Sequence, residues 1–328
     1  MYAVFEALFS VVGSLGFIGN VLVCVTICYT KALHSITNLF ILNLAVADAL
    51  ASVAHIAVPF AFHHFDVELL SLNKDNVTTT CTPELVFWYD VIWVVHYLGA
   101  AFVAHSVLGL TLTTYERFIG IVRPLHYTSY FSQRKIVVML LAMWVTPLVV
   151  ELPRFVYTII AYWHRNCVSA KDSDEYYYTF SILSMVLLAG PTGAMVWMYV
   201  QILKNLKQGA KNLQQLGVKG SAKELLEAHK KVTVAMAVIT AAFFILVLPA
   251  KIFQIVIAVN SEVQSLALLQ TSILLVVLNS AINPVLYGFK YKQLRESFVS
   301  MVMGKCRKLK RQNHVEQAPR VEMVQTVS

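Results

Sequence analysis

Leu39-Phe40-Ile41-Leu42-Asn43-Leu44-Ala45-Val46-Ala47-Asp48-Ala49-Leu50-Ala51-Ser52-Val53-Ala54-His55-Ile56-Ala57-Val58 is an apolar run with one carboxylate inside it. Roughly 20 mostly apolar residues are enough to cross a bilayer as a helix. The chain repeats this kind of run seven times, over Val4–Tyr29, Leu39–Phe62, Leu85–Thr114, Ile136–Tyr162, Tyr177–Leu203, Val232–Val259 and Val263–Phe289. With 58% hydrophobic and 13% charged residues and a mean hydropathy of +0.65, it is too apolar for an ordinary water-soluble domain. The expectation is an all-α membrane protein, a bundle of seven spanning helices.

The first run is long and is followed by Lys31 where a signal peptide would want small residues, so it reads as a retained helix. No repeat and no Pro/Ser/Gly-rich linker divides the rest, which gives one bundle domain over 1–304 and a polar tail over 305–328. Basic residues crowd one set of loops: Lys31, Arg123, Arg134, Lys135, the lysines between Lys204 and Lys231, Lys290, Lys292, Arg295 and Lys305–Arg311. The opposite loops hold Lys74, Arg165 and Lys171. Cytoplasmic loops accumulate Lys and Arg, so the N-terminus is expected outside the cell and the C-terminus inside. The net charge of +8 then marks topology and an anionic inner leaflet, with membrane lipids as partner and no nucleic acid. By the same topology Cys81 and Cys167 face an oxidising compartment, as does the glycosylation sequon Asn76-Val77-Thr78.

A carboxylate at the centre of a spanning helix costs roughly 2.5 to 3.5 kcal/mol unless compensated. Asp48 therefore needs partners, and Ser106, Asn279, Ser280 and Asn283 are the candidates, with Asn279, Asn283 and Tyr287 on one helical face. Two readings stand side by side: a hydrogen-bonded network that joins helices, and a hydrated pocket whose oxygens hold a small metal cation such as sodium on Asp48. Asn20 fits the first reading better. No other cofactor is expected.

Taken in order, Gly19-Asn20, Leu44-Ala45-Val46-Ala47-Asp48, Glu116-Arg117-Phe118, Trp144, Pro191 with Tyr199, Phe243 with Pro249, and Asn283-Pro284-Val285-Leu286-Tyr287 resemble the rhodopsin-like (class A) G protein-coupled receptors from Gly19 to Phe298. The resemblance implies a receptor in the plasma membrane whose partner is a heterotrimeric G protein. It implies that Glu116, Arg117, Phe118, Tyr199, Asn283, Pro284 and Tyr287 serve coupling and activation, with Arg117 swinging toward the G protein. Many relatives restrain this Arg through an acid at the inner end of helix six, where this chain has His229. Val107, Pro191 and Phe243 match the family's packing switch, about which helix six would pivot at Pro249. Lys290–Phe298 resembles the family's short amphipathic eighth helix, and Cys306 beyond it is a lipidation candidate. The family's Cys at the start of helix three is Ile92 here, so the expected disulfide joins Cys81 to Cys167.

Two departures concern the ligand. Val247 stands where relatives carry a Trp beneath it, and Gly99 and Val277 replace the residues that hold amines and retinal, which disfavours both classes. Lys251 lies too deep to reach water comfortably. An anionic ligand group and a protein acid such as Glu151 are its alternative partners, although Glu151 has Arg154 three residues on as another partner of its own, with His55, His96, Gly99 and Tyr97 as candidate lining. The short segment before the first run leaves binding to the bundle and its loops, which suits a small molecule or short peptide. Pro124–Tyr127 is also similar to odorant receptors, so an odorant-like chemosensory role is one alternative and a non-signalling seven-helix decoy another. A transporter or channel would show inverted repeats. An enzyme would show a metal-spaced or nucleophilic constellation, and neither pattern is present in the sequence.

Overall fold

The computed structural model describes residues 2–72, 83–164, 174–215, 220–259, 266–291, 293–301 and 303. Seven long helices run in chain order: α1 Tyr2–Tyr29, α2 Ile36–Leu72, α3 Pro83–Val122, α4 Gln133–His164, α5 Asp174–Gln215, α6 Ser221–Val259 and α7 Leu266–Lys290. A shorter helix, α8, follows over 293–301. Among the described residues there is no strand. Six of the long helices, all but α5, are long and apolar enough to cross a membrane among the described residues. The helices outrun the apolar runs, because backbone hydrogen bonding continues past the hydrocarbon boundary while hydropathy marks only the lipid-embedded part. Thus α5 continues beyond Leu203 to Gln215, and α6 begins at Ser221, well before Val232.

The pattern of burial is that of a lipid-solvated bundle. Val137, Val138, Leu141, Val145 and Val149 on α4, and Leu15 and Ile18 on α1, are exposed, while Asn20, Asp48, Ser106, Asn279, Ser280 and Asn283 are buried. In water this arrangement would be costly. In lipid the exposed chains meet their own kind and the polar groups satisfy one another inside. Around α3 the helices α2, α4, α5 and α6 are packed, and α7 closes the ring against α1, α2 and α6.

Close approach of α1 depends on its glycines. A Cβ at Gly13 would lie 2.4 Å from Ile56 Cγ1 on α2, and one at Gly16 would lie 2.7 Å from Ser52 Oγ and 3.2 Å from Ala281 Cα on α7. Asn20 then donates from Nδ2 to the Gly16 and Ser280 carbonyls, both at 2.9 Å, so it ties α1 to α7. Pro147 and Pro153 in α4, Pro191 in α5, Pro249 in α6 and Pro284 in α7 all lie within helices. In α8, Leu294 is buried while Arg295 and Glu296 are exposed, so one face packs on the bundle. Tyr291, just before it, donates to Asn38 Oδ1 of α2 at 2.8 Å.

Candidate functional site

The bundle holds three polar nodes and a cavity, stacked along α3. At the end of α3, Glu116 is fully buried and accepts from Arg117 Nε at Oε2 and Arg117 Nη2 at Oε1, both at 2.6 Å. The Thr37 hydroxyl donates to Oε2 at 3.0 Å and the Tyr127 hydroxyl to Oε1 at 2.6 Å. Arg117 also donates to Thr37 Oγ1. The buried Glu116 carboxylate thus has hydrogen bonds at both oxygens, which is the condition under which a buried charge is tolerated. Tyr127 sits on the turn Tyr127–Tyr130 after α3, and burial, with the Glu116 carboxylate beside it, pushes its phenol upward from the ordinary tyrosine value. His229 on α6 is within electrostatic reach of Arg117 and Glu116. The Arg is therefore restrained from its own helix and from α2, with the loop tyrosine holding its partner Glu116.

One node deeper, Tyr199 of α5 accepts from Thr114 of α3 at 3.2 Å and shares a 3.1 Å hydrogen bond with Thr240 of α6. Phe118 is buried against Trp197 of α5, ring centroids 5.2 Å apart. At mid-depth Asp48 is fully buried and accepts from Ser106 Oγ at 2.8 Å, Ser280 Oγ at 3.2 Å and Asn283 Nδ2 at 2.7 Å. This gathers α2, α3 and α7 on one carboxylate. Asn279, in the same polar stripe of α7, is buried with neither amide atom bonded to another described residue. Carboxylate, hydroxyl and orphaned amide oxygens are the donors a hard cation takes, so the residues fit sodium. Among the described residues there is no cluster of three or more His, Cys, Asp or Glu that could hold a metal. Tyr287 is buried in the main core beside this node, and Pro284 packs on Gly19.

Toward the opposite end, Val107, Phe243 and Val247 belong to the buried core. Val107, Val247 and Pro191 also line a cavity of about 290 Å³ that contains Lys251 and Glu151. A second space of about 40 Å³ is lined by His55, His96, Gly99 and again Lys251. The expected ligand residues are thus split between two spaces that share Lys251. Gly99 leaves room for His55, whose ring would be 3.1 Å from a Cβ there, so the place of the amine-holding Asp is taken by an imidazole. Val277 packs with Phe9 and Ile273 in a small apolar cluster against α1. Tyr97 donates to the Leu148 carbonyl at 2.9 Å.

Cys81, Cys167, Asn76 and Cys306 lie outside the described residues. Sequence reasoning missed Thr37, Tyr127 and Tyr291, and also a second knot in which Trp144 Nε1 donates to Asn43 Oδ1 at 2.9 Å. That bond orients the Asn43 amide so that Nδ2 donates to His105 Nε2 at 3.0 Å, and His105 Nδ1–H donates to the Met143 carbonyl at 2.9 Å. The only signal for it was a histidine and an asparagine inside apolar runs.

The profile of the family described as 7 transmembrane receptor (rhodopsin family) matches residues 19–287. Somatostatin receptor type 1 of Rattus norvegicus is 26% identical over 89% of this chain and 69% of its own length. The allatostatin-A receptor of Bombyx mori is 26% identical over 88% of this chain and 77% of its own length. Trace amine-associated receptor 8b of Rattus norvegicus is 27% identical, with 88% and 83% covered. With the ordered motifs placed on the packed helices of one bundle and the profile spanning most of its length, the chain belongs to the rhodopsin-like family of seven-transmembrane receptors.

Proposed function

We propose that this receptor sits in the plasma membrane with its N-terminus outside, binds an extracellular small molecule or short peptide within the bundle, and activates a heterotrimeric G protein by moving α6. The observation that carries the reading is the Glu116–Arg117 pair, bonded to Thr37 and Tyr127 at one end of α3. A half-buried arginine bonded to a second helix, and paired with a carboxylate that a loop tyrosine also holds, is a latch, and opening it frees a cationic side chain at the Arg117 end of the bundle. The relatives are named as receptors for somatostatin and allatostatin-A and as a trace amine-associated receptor, which supports the reading of an extracellular ligand.

Sodium is the ion proposed for Asp48. Asp48, Ser106, Ser280 and the Asn279 amide oxygen would hold it, and its charge would offset the buried carboxylate when Asn283 turns away. Reconstituted with G protein, the receptor should accelerate nucleotide exchange at rest or with ligand, and Arg117→Ala should reduce that exchange to the background of empty membranes. Exchange that persists in Arg117→Ala, or that is absent with every G protein class, would sink the reading.

A further inference from the structure

The 290 Å³ cavity has a composition that restricts what fits inside it. Among the described residues, Ala104, Val107 and Leu108 of α3, Val150 of α4, Leu188 of α5 and Val247 of α6 supply apolar walls, while Lys251 of α6 and Glu151 of α4 supply one charge of each sign. α4 is packed on α3, and among the described residues no comparable contact joins it to α5, so the cavity occupies the space between those two helices. The charge-bearing helices stand on opposite sides of this space. At interaxial distances of roughly 8–10 Å for packed neighbours, two helices that are not neighbours leave room for a small molecule between their side chains.

A ligand bearing only a carboxylate can pair with Lys251 but brings a like charge toward Glu151 in a space whose described walls are mostly apolar. A ligand bearing only an amine has the mirror problem. A molecule with both charges, separated by an apolar body, converts whatever pairing Lys251 and Glu151 make in its absence into two ion pairs and strands neither residue. We propose that the cavity binds a zwitterion, with its carboxylate on Lys251, its protonated amine on Glu151 and its apolar body against Val107, Leu188 and Val247. This rests on the receptor reading above and names the ligand class of that site.

The test measures direct binding to the purified full chain in lipid nanodiscs, without G protein, so its failure is separable from a failure of coupling. The probes are ω-amino carboxylic acids of graded chain length, each beside the monoamine and the monocarboxylate of equal length. One chain length should bind roughly tenfold or more tighter than both monofunctional partners, the gain of one charge-assisted contact. Lys251→Gln should erase its advantage over the monoamine, and Glu151→Gln its advantage over the monocarboxylate. Because a single exchange could harm folding, the double variant Lys251→Glu, Glu151→Lys should restore the binding that Lys251→Glu and Glu151→Lys each abolish. Equal affinity for zwitterion and monocarboxylate, indifference to Glu151→Gln, failure of the double swap, or no binding by any probe would overturn the proposal.

Discussion

Removing the Tyr127 hydroxyl should raise resting activity. Tyr127→Phe keeps the ring packed on Phe131, whose centroid is 5.1 Å away, and deletes only the donor to Glu116 Oε1 at 2.6 Å. Two magnitudes compete. Interhelical hydrogen bonds in membrane proteins average about 0.6 kcal/mol, roughly a threefold effect. Bonds to charged groups are worth about 1.5 kcal/mol or more, which is tenfold or above. Glu116 is ionically paired and fully buried, so the larger value governs. If the bond exists only in the resting shape, an active fraction of about 0.1–10% becomes about 1–50%. Thr37→Val should act in the same direction and by a larger amount, since Thr37 donates to Glu116 and accepts from Arg117. The assay is ligand-free nucleotide exchange on a G protein, normalised to receptor folded in the membrane. Unchanged or reduced basal exchange in both variants would refute the latch reasoning.

The α1 glycines give a packing test. Gly16→Ala should lower thermal stability by about 1–3 kcal/mol, the usual cost of overpacking, because its Cβ would press on Ser52 and on the α7 backbone at Ala281. Gly193→Ala on α5, with nothing within 4 Å of the added Cβ, should instead be neutral or stabilising by up to about 1 kcal/mol; equal melting shifts for the two would contradict the close approach of α1. For the ion, the melting temperature of the wild type should rise in sodium relative to choline, whereas Asp48→Asn should show no sodium dependence. A sodium response that survives the substitution would place the ion elsewhere.

How much of this was legible depended on the energetic cost of each residue's surroundings. Asp48, Asn283 and Ser280 stand out because a polar group in a long apolar run is expensive, so the sequence itself demands a partner, and the structure supplies hydrogen bonds of 2.7 to 3.2 Å. Thr37 and Tyr127 carry no such flag. Both lie near helix ends, where threonine and tyrosine are ordinary, and Thr37 meets Glu116 only because α2 and α3 fold together across 79 residues of chain. His105 was as anomalous as Asp48 in its apolar surroundings, but a histidine satisfied by Asn43 and the Met143 carbonyl cannot be told from a ligand by spacing alone. Helix ends were not legible for a different reason: hydropathy locates the hydrocarbon slab, while the helices of α5 and α6 run on into polar surroundings.

Among the described residues, polar ties gather some helices more closely than others. On one carboxylate, α2, α3 and α7 meet through three hydrogen bonds, and α1 joins α7 through Asn20. Among the described residues, one tie from α6 toward this core is the Tyr199–Thr240 pair, a neutral bond at 3.1 Å, and Tyr199 sits on α5 rather than in the central cluster. Farther along α6, the Thr233 hydroxyl is buried with no partner, a group that gains a hydrogen bond by any shift bringing it to an acceptor or to water. Next to Pro249, Val247 has a side chain much smaller than the Trp of many relatives, and the cavity it borders contains Lys251 from the same helix. A ligand held there by Lys251 pulls directly on α6 above the proline, whereas displacing α2 or α7 would first break charged bonds to Asp48. The cavity thus takes a residue from α6, the helix whose movement is proposed to open the Arg117 latch.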